Sequence, residues 1–156
     1  MPLVCGSEGA PARCLAQLLV TAFHFAFFVQ DLASTRRFYR DVLGCREGRS
    51  TDSWVDFDFF GHQISAHVTG PVVPTVDAGV VDGVRVPMPH FGALLAWDEF
   101  ARVAEGIRQA EIPFIIEPRI RYPGQPGEQM TMFLRDPSGN ALEFKSFRHP
   151  EHVFTA

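Results

Sequence analysis

The 156-residue chain is poor in several features that would decide its class at once. It has three cysteines, Cys5, Cys14 and Cys45, an odd number with no CxxC spacing. That supports neither a disulfide framework nor a zinc knuckle, and reads as three reduced thiols in a cytoplasmic protein. It has no long hydrophobic run. The longest apolar-leaning stretch, Leu18 to Val29, is bounded by Gln17 and Gln30 and interrupted by Thr21 and His24. It is too short to span a bilayer. Arg13 ahead of it gives a passing likeness to a signal-peptide core, without the basic start or the cleavage site. There is no surplus of positive charge: a net charge of −4 argues against nucleic acid as the main partner.

What is present instead is Phe, 15 of them against two Tyr and two Trp, together with six His. The chain is 46% hydrophobic and 21% charged, which makes one compact domain with a real core and excludes disorder, collagen and coiled coil. Apolar rings in this number suit the lining of a dry cavity. The histidines suit a metal.

Residues 1–19 read as an irregular Gly/Pro/Ala-rich extension and residues 149–156 as a tail. Thr21 to Val29 is aromatic and β-prone, a buried strand. Asp31 is a helix N-cap, and Leu32, Phe38, Tyr39, Val42 and Leu43 recur at helical spacing up to Gly44, a stop. Trp54 to Phe59 alternates as a half-buried strand, Phe60-Gly61-His62 is a turn, and Gln63 to Thr69 is the returning strand. Gly70 to Pro89 carries four Pro and three Gly and reads as a linker. The pattern then restarts. Phe91 to Ala96 is a strand, and Trp97-Asp98-Glu99-Phe100 opens a helix with Phe100, Val103, Ala104 and Ile107 on one face. Ile112 to Ile116 is a strand ended by Pro118, residues 118–128 are a loop, and 130–134 and 141–147 form a hairpin across Asp136 to Asn140.

The expected fold is therefore α+β, a βαβββ module used twice within one domain over 20–148: module one 20–70, linker 71–88, module two 89–148. In register, His24-Phe25 meets His90-Phe91, 66 positions later, and Gly61 meets Gly139. If the halves pack by pseudo-twofold symmetry, the two imidazoles converge on one point. Glu143 lies on the opposite face of its strand from Leu142 and Phe144. Two imidazoles and a carboxylate form the facial triad of non-haem Fe(II) enzymes, with open positions for substrate and O2; the same set suits Mn2+, Zn2+ or Ni2+. Taken singly, each residue is an ordinary strand His or surface Glu, and the weight rests on the repeated spacing. With Gly61 matched to Gly139, the counterpart of Glu143 is Ser65, so the first half has no carboxylate there. His67 lies two residues on, roughly 6.5–7 Å along the same face. That offset suits an acid/base or a substrate contact better than a fourth ligand, beside the plain alternative of a structural strand histidine. His62 sits in the turn, facing solvent, and His149 and His152 belong to the tail.

Four motifs carry a family resemblance: His24-Phe25-Ala26-Phe27, Asp31-Leu32 with Phe38-Tyr39-Arg40-Asp41-Val42-Leu43-Gly44, His90-Phe91-Gly92, and Asp136-Pro137-Ser138-Gly139-Asn140-Ala141-Leu142-Glu143-Phe144. Over residues 21–147 the chain resembles the vicinal oxygen chelate superfamily, which includes glyoxalase I, bleomycin- and fosfomycin-resistance proteins and extradiol dioxygenases. Within it, the chain is most similar to small bacterial proteins described as predicted extradiol-type dioxygenases. The resemblance implies two βαβββ modules curled around a metal cavity, with His24, His90 and Glu143 at the shared ligand positions. Glyoxalase I enzymes add a fourth ligand from the last strand of module one, where this chain has Gln63-Ile64-Ser65-Ala66-His67 and no carboxylate. Extradiol enzymes place a catalytic His in this region, which His67 supplies. They commonly place a Tyr about ten residues before the carboxylate ligand, where this chain has Phe133; Tyr122 is the nearby tyrosine, in the loop.

The first functional expectation is an Fe2+ extradiol-type dioxygenase of a catechol-like aromatic, with His67 moving a proton and O2 as co-substrate. Phe23, Phe25, Phe57, Phe91 and Phe133 would line an apolar substrate cavity, and the flanking loop that bears Tyr122 is either solvated or a lid whose Arg119 or Arg121 meets an anionic substrate group. The alternatives are a glyoxalase-like isomerase or lyase with Zn2+ or Ni2+, and a drug-sequestering cup like the bleomycin-resistance proteins, which typically lack the triad. A homodimer acting on a small molecule is expected, with no nucleic acid or membrane partner.

Overall fold

The computed structural model describes residues 21–81 and 83–154. The expected extension at 1–19 lies outside the described residues. β1 (His24–Val29) leads into α1 (Leu32–Arg36), which widens into a π-helical turn over Arg37–Val42. β2 (Arg46–Ser50), β3 (Trp54–Phe59) and β4 (His62–Val68) complete the first module. A hairpin of β5 (Val76–Val81) and β6 (Val84–Met88) follows. The second module is β7 (His90–Leu94), α2 (Trp97–Gln109), β8 (Phe114–Arg121), β9 (Gln129–Arg135) and β10 (Ala141–Phe147), closed by a 3-10 turn at Pro150–His152.

The two modules have identical topology. One sheet runs β1-β4-β3-β2 and the other β7-β10-β9-β8, each with its first strand parallel to its last. His24 pairs with Gln63 where His90 pairs with Ala141, so Ser65 and Glu143 hold equivalent places. The expected duplication and its register are both present.

Asp31 caps α1 by accepting from the Ser34 N–H at 2.7 Å, and its carboxyl sits below the usual range because Ser34 donates to it. The helix ends at Gly44, which takes φ 77. Alternation then fixes which side chains face inward. Phe25, Phe27 and Phe91 meet at ring-centroid distances of 4.9 and 5.2 Å, and Phe59 meets Phe144 at 6.0 Å. These contacts join both sheets and both helices into one core that includes Tyr39, Phe57, Phe100 and Ile107. The modules are therefore one folding unit, held by the aromatic burial that dominates core energetics.

The turn after β9 fastens the modules together. Asp136 accepts from the N–H groups of Ser138 and Asn140, from the Asn140 side chain, and from the Tyr39 hydroxyl of module one at 3.1 Å. Ser138 Oγ accepts from the Gln30 N–H, and the Asn140 amide donates to the Phe28 carbonyl, both at 2.9 Å. Burial raises the Asp136 carboxyl above its ordinary value, and these donors hold it back.

Two expectations need correction, and one strand is new. The linker is not irregular: β5 and β6 form a hairpin around Gly83 at φ 75, and Val86 packs on Ile116 and Phe133. Its Pro and Gly residues hide the alternation of Val76, Ala78 and Val80 against Val84, Val86 and Met88. The strand expected to stop before Pro118 runs on to Arg121. β8 is an edge strand with a register shift between Ile116 and Arg119, where a proline costs little. β2 is a strand without a sequence signature, because Arg-Glu-Gly-Arg-Ser offers no apolar alternation; it too lies at an edge. Among the described residues no helix is long and apolar enough to cross a membrane.

Candidate metal centre

Each sheet has a helix-covered face that forms the core and an opposite face that does not. Register assigns the second faces. In module two it carries His90, Gly92 and Leu94 from β7, Glu143 and Lys145 from β10, and Thr131 and Phe133 from β9. In module one it carries His24, Ala26 and Phe28, then Gln63, Ser65 and His67, then Trp54 and Asp56.

The structure brings His90 and Glu143 together. Glu143 Oε2 lies 3.2 Å from His90 Nε2 and 3.3 Å from Lys145 Nζ. Thr131 Oγ1 donates to the other oxygen at 2.9 Å and fixes the carboxylate. A cavity of about 210 Å3 opens here, lined by His90, Glu143 and Lys145 together with Gly92 and Leu94. Glu143 is 8% exposed, so it faces the cavity from a buried base. Lys145 is the chain's one lysine. The sequence reading does not single it out, although its place two residues after Glu143 puts it on the same face.

The histidine nitrogens are informative. His90 Nδ1 lies 2.9 Å from the Pro87 carbonyl oxygen, an acceptor only. Nδ1 therefore carries a hydrogen, which leaves Nε2 as the nitrogen that faces Glu143 and the cavity. Phe133 packs against the same imidazole at a centroid distance of 5.0 Å and is fully buried under Val86 and Ile116. The residue expected to line the substrate cavity thus stands behind His90, with its own ring buried.

His24 is not part of this cluster. It is exposed on edge strand β1, with Nδ1 2.9 Å from Gln63 Oε1. Among the described residues no three His, Cys, Asp or Glu side chains stand close enough to hold a metal. The reason is the packing. The modules meet through the rows bearing Phe25, Phe27 and Phe91, so the alternate rows bearing His24 and His90 point away from that shared core.

Of the remaining expected residues, His67 stands on the module-one face beside Trp54, with ring centroids 6.2 Å apart. Phe57 points the other way. It is 1% exposed and stacks on Tyr39 at 5.3 Å inside the core, so its place on the open face is taken by Asp56. Arg121 and Tyr122 hold each other, with the guanidinium donating to the phenol oxygen at 2.7 Å and lying over its ring. They flank the strand position of Gln129, four residues from Phe133 and so roughly 13 Å from the Glu143 row.

A neutral imidazole nitrogen, a second of the same kind and a fixed carboxylate form a donor set that suits a divalent first-row metal. His90 and Glu143 supply one imidazole and the carboxylate within one chain, and His24 has the right chemistry without the proximity.

Comparison with known proteins bears on the fold. Residues 21–144 match the model of the Glyoxalase/Bleomycin resistance protein/Dioxygenase superfamily. A protein of that description from Alicyclobacillus acidocaldarius is 30% identical, with a TM-score of 0.70 over 86% of this chain and 96% of its own. A virulence protein from Salmonella typhimurium is 25% identical, with a TM-score of 0.56 over 83% and 98%. The fosfomycin resistance protein FosX from Listeria monocytogenes shares the fold at 16% identity, with a TM-score of 0.64 over 86% and 98%. No curated protein matches the sequence.

Proposed function

The chain belongs to the Glyoxalase/Bleomycin resistance protein/Dioxygenase superfamily, and from that premise we propose that it is a metal-dependent enzyme acting on a small molecule with two vicinal oxygens. In this reading the metal is held by His90 and Glu143 of one copy and His24 of a second. The observation that carries it is the pairing of Glu143 Oε2 with a His90 Nε2 whose partner nitrogen is already committed to a carbonyl. Such outer partners are what fix a metal-binding imidazole in place.

The second copy is argued from the two open faces. Phe28 and Leu94 are equivalent positions, 66 apart like the histidines, on the same faces as His24 and His90. They are 59% and 53% exposed. A twofold that sets the module-one face of one copy on the module-two face of the other covers both side chains. It also brings His24 to the His90–Glu143 pair twice over, as an isologous interface requires.

A divalent cation at this place supplies Lewis acidity to the substrate's oxygens and, when it is Fe2+, access to O2. The chain's own groups do the rest. Thr131 holds Glu143 by one oxygen, leaving the other directed into the cavity. Phe133 stands behind His90 and excludes water from that side of the ring. Lys145 offers a positive charge to an ionised substrate oxygen. His67 shares the module-one face with His24, and in the paired arrangement it takes the proton of a substrate hydroxyl on its imidazole.

Within this class the favoured reading is an extradiol-type dioxygenase of a catechol-like aromatic. It is favoured over a glyoxalase-like isomerase by Ser65, which leaves three protein ligands and three open positions. The test is anaerobic reconstitution with Fe2+, followed by absorbance and O2 uptake across a catechol panel. Ring-opened product with matched O2 consumption is expected. Iron demonstrably bound without turnover, with isomerisation appearing under Ni2+ or Zn2+, overturns the dioxygenase reading in favour of the glyoxalase kind.

A further inference from the structure

We propose that Asp56 and Gln63 are positioning residues that hold His24 in the tautomer whose Nε2 is free for coordination; the inference rests on the metal reading above. In module two a backbone carbonyl, Pro87, accepts from His90 Nδ1 and leaves nothing to choose. In module one the group facing His24 Nδ1 is the Gln63 side-chain amide, at 2.9 Å. An amide is ambivalent, because one end accepts and the other donates. Rotated by half a turn, it would donate to Nδ1 and force the ring proton onto Nε2, the nitrogen a metal needs.

Asp56 removes the ambivalence. It is 5% exposed and lies across β3 from Ser65, in the row where module two has Phe133 opposite Glu143. Its Oδ2 accepts from Gln63 Nε2 at 3.2 Å and its Oδ1 from Ser65 Oγ at 2.5 Å, with Arg49 Nη2 also 3.3 Å from Oδ2. A carboxylate only accepts, so the amide nitrogen must face Asp56 and the carbonyl must face His24. A carbonyl only accepts, so His24 Nδ1 must carry the hydrogen. The chain of donors thus has one direction, from His24 through Gln63 to Asp56. It also engages Gln63 Oε1 with His24. The carboxylate that module one retains orients a ligand and does not serve as one.

The direction of the chain can be reversed and restored by substitution. Asp56→Asn places an amide beside an amide and lets Gln63 turn. The double variant Asp56→Asn with Gln63→Glu rebuilds the original direction: the introduced amide donates to the introduced carboxylate, which in turn accepts from His24 Nδ1. The first readout is nitrogen-15 NMR of the His24 ring in the metal-free, full-length protein at pH 8, which reports the tautomer without activity. The second is Zn2+ affinity, measured by competition with a chromophoric chelator. The Nδ1–H tautomer is expected in the wild type and the double variant, with a mixture in Asp56→Asn. Zn2+ affinity should fall about 10- to 100-fold in Asp56→Asn, the usual range for an outer partner of a ligand, and return in the double variant. If Asp56→Asn does not fold, Gln63→Leu makes the same comparison with the wild type. An Nε2–H tautomer in the wild type, an unchanged tautomer in Asp56→Asn or Gln63→Leu, or a double variant no better than the single overturns the proposal. Failure of the metal reading looks different: the tautomers follow expectation while Zn2+ binding is unaffected by Glu143→Ala.

Discussion

Replacing Gly92 by Ala tests whether β7 and β10 approach as closely as the metal centre requires. Gly92 is the register partner of Glu143. A Cβ built there falls on the Glu143 carbonyl oxygen and stands 2.6 Å from its carbonyl carbon. Both are backbone atoms, so no rotamer change relieves the overlap. The strand itself must move by well over an ångström, which breaks ladder hydrogen bonds on either side. Overpacking alone costs about 1–3 kcal/mol. Two lost hydrogen bonds, at about 1 kcal/mol each, bring the total to roughly 3–5 kcal/mol. With a urea slope of about 2 kcal/mol per molar, the unfolding midpoint should fall by roughly 2 M. Gly48→Ala is the control: its Cβ would meet only the Asp56 Cβ at 3.4 Å and neighbouring backbone no closer, and its midpoint should move by less than about 0.3 M. The assay is urea unfolding followed by circular dichroism. Equal midpoints for the two variants would refute the close approach, and with it the placement of Glu143 beside His90.

The remaining predictions concern single groups. Tyr39→Phe removes one of the donors to buried Asp136 and should cost about 1–3 kcal/mol by denaturant unfolding, without changing metal content. Burial, with Asp58 nearby, pushes the Cys45 thiol up to about 12 from 9.0. Because the folded value is the higher one, the stability it contributes is full below about pH 9 and is lost as pH rises toward about 12. Cys45 should accordingly resist thiol reagents at pH 8 until the protein unfolds; modification at the rate of an exposed thiol would contradict this. Lys145→Met removes the cation that shares Glu143, so Zn2+ should bind at least as tightly as in the wild type while KM for the substrate rises. Loss of metal in that variant would mean that Lys145 supports the site in some other way.

Much of this architecture can be read from the sequence because it is written twice. The His-Phe pair opening β1 and β7, and the turn glycines Gly61 and Gly139, fix a register that identifies Ser65 as the counterpart of Glu143 without any coordinates. Period-two alternation does equally well where one face is apolar, as in β3. It fails where the strand lies at an edge or is punctuated by Pro and Gly, as in β2, β8 and the β5–β6 hairpin, because partners there come from the tertiary fold. Facing is the harder matter. That His24 and His90 are equivalent is a property of the sequence. That they point away from one another follows from how Phe25, Phe27 and Phe91 join the modules, and no local pattern encodes that. Residue type alone puts Phe57 in the cavity, although alternation with Asp56 already places the two on opposite faces. Asp56 and Lys145 escape a motif-based reading because neither is a ligand type in the repeated pattern, and each is found only by its contact with a neighbour on its own face.

The central claim is that one metal centre draws ligands from two copies of the chain. Mixed dimers of differently tagged His24→Ala and Glu143→Ala chains measure it directly, by metal content after purification through both tags. In a shared centre, one of the two sites carries both substitutions and the other carries none. The mixed dimer should then hold about half the metal of the wild type, while each parent holds almost none. If His24 and Glu143 served a site within one chain, every site would carry one lesion. A mixed dimer with no more metal than its parents would contradict the account.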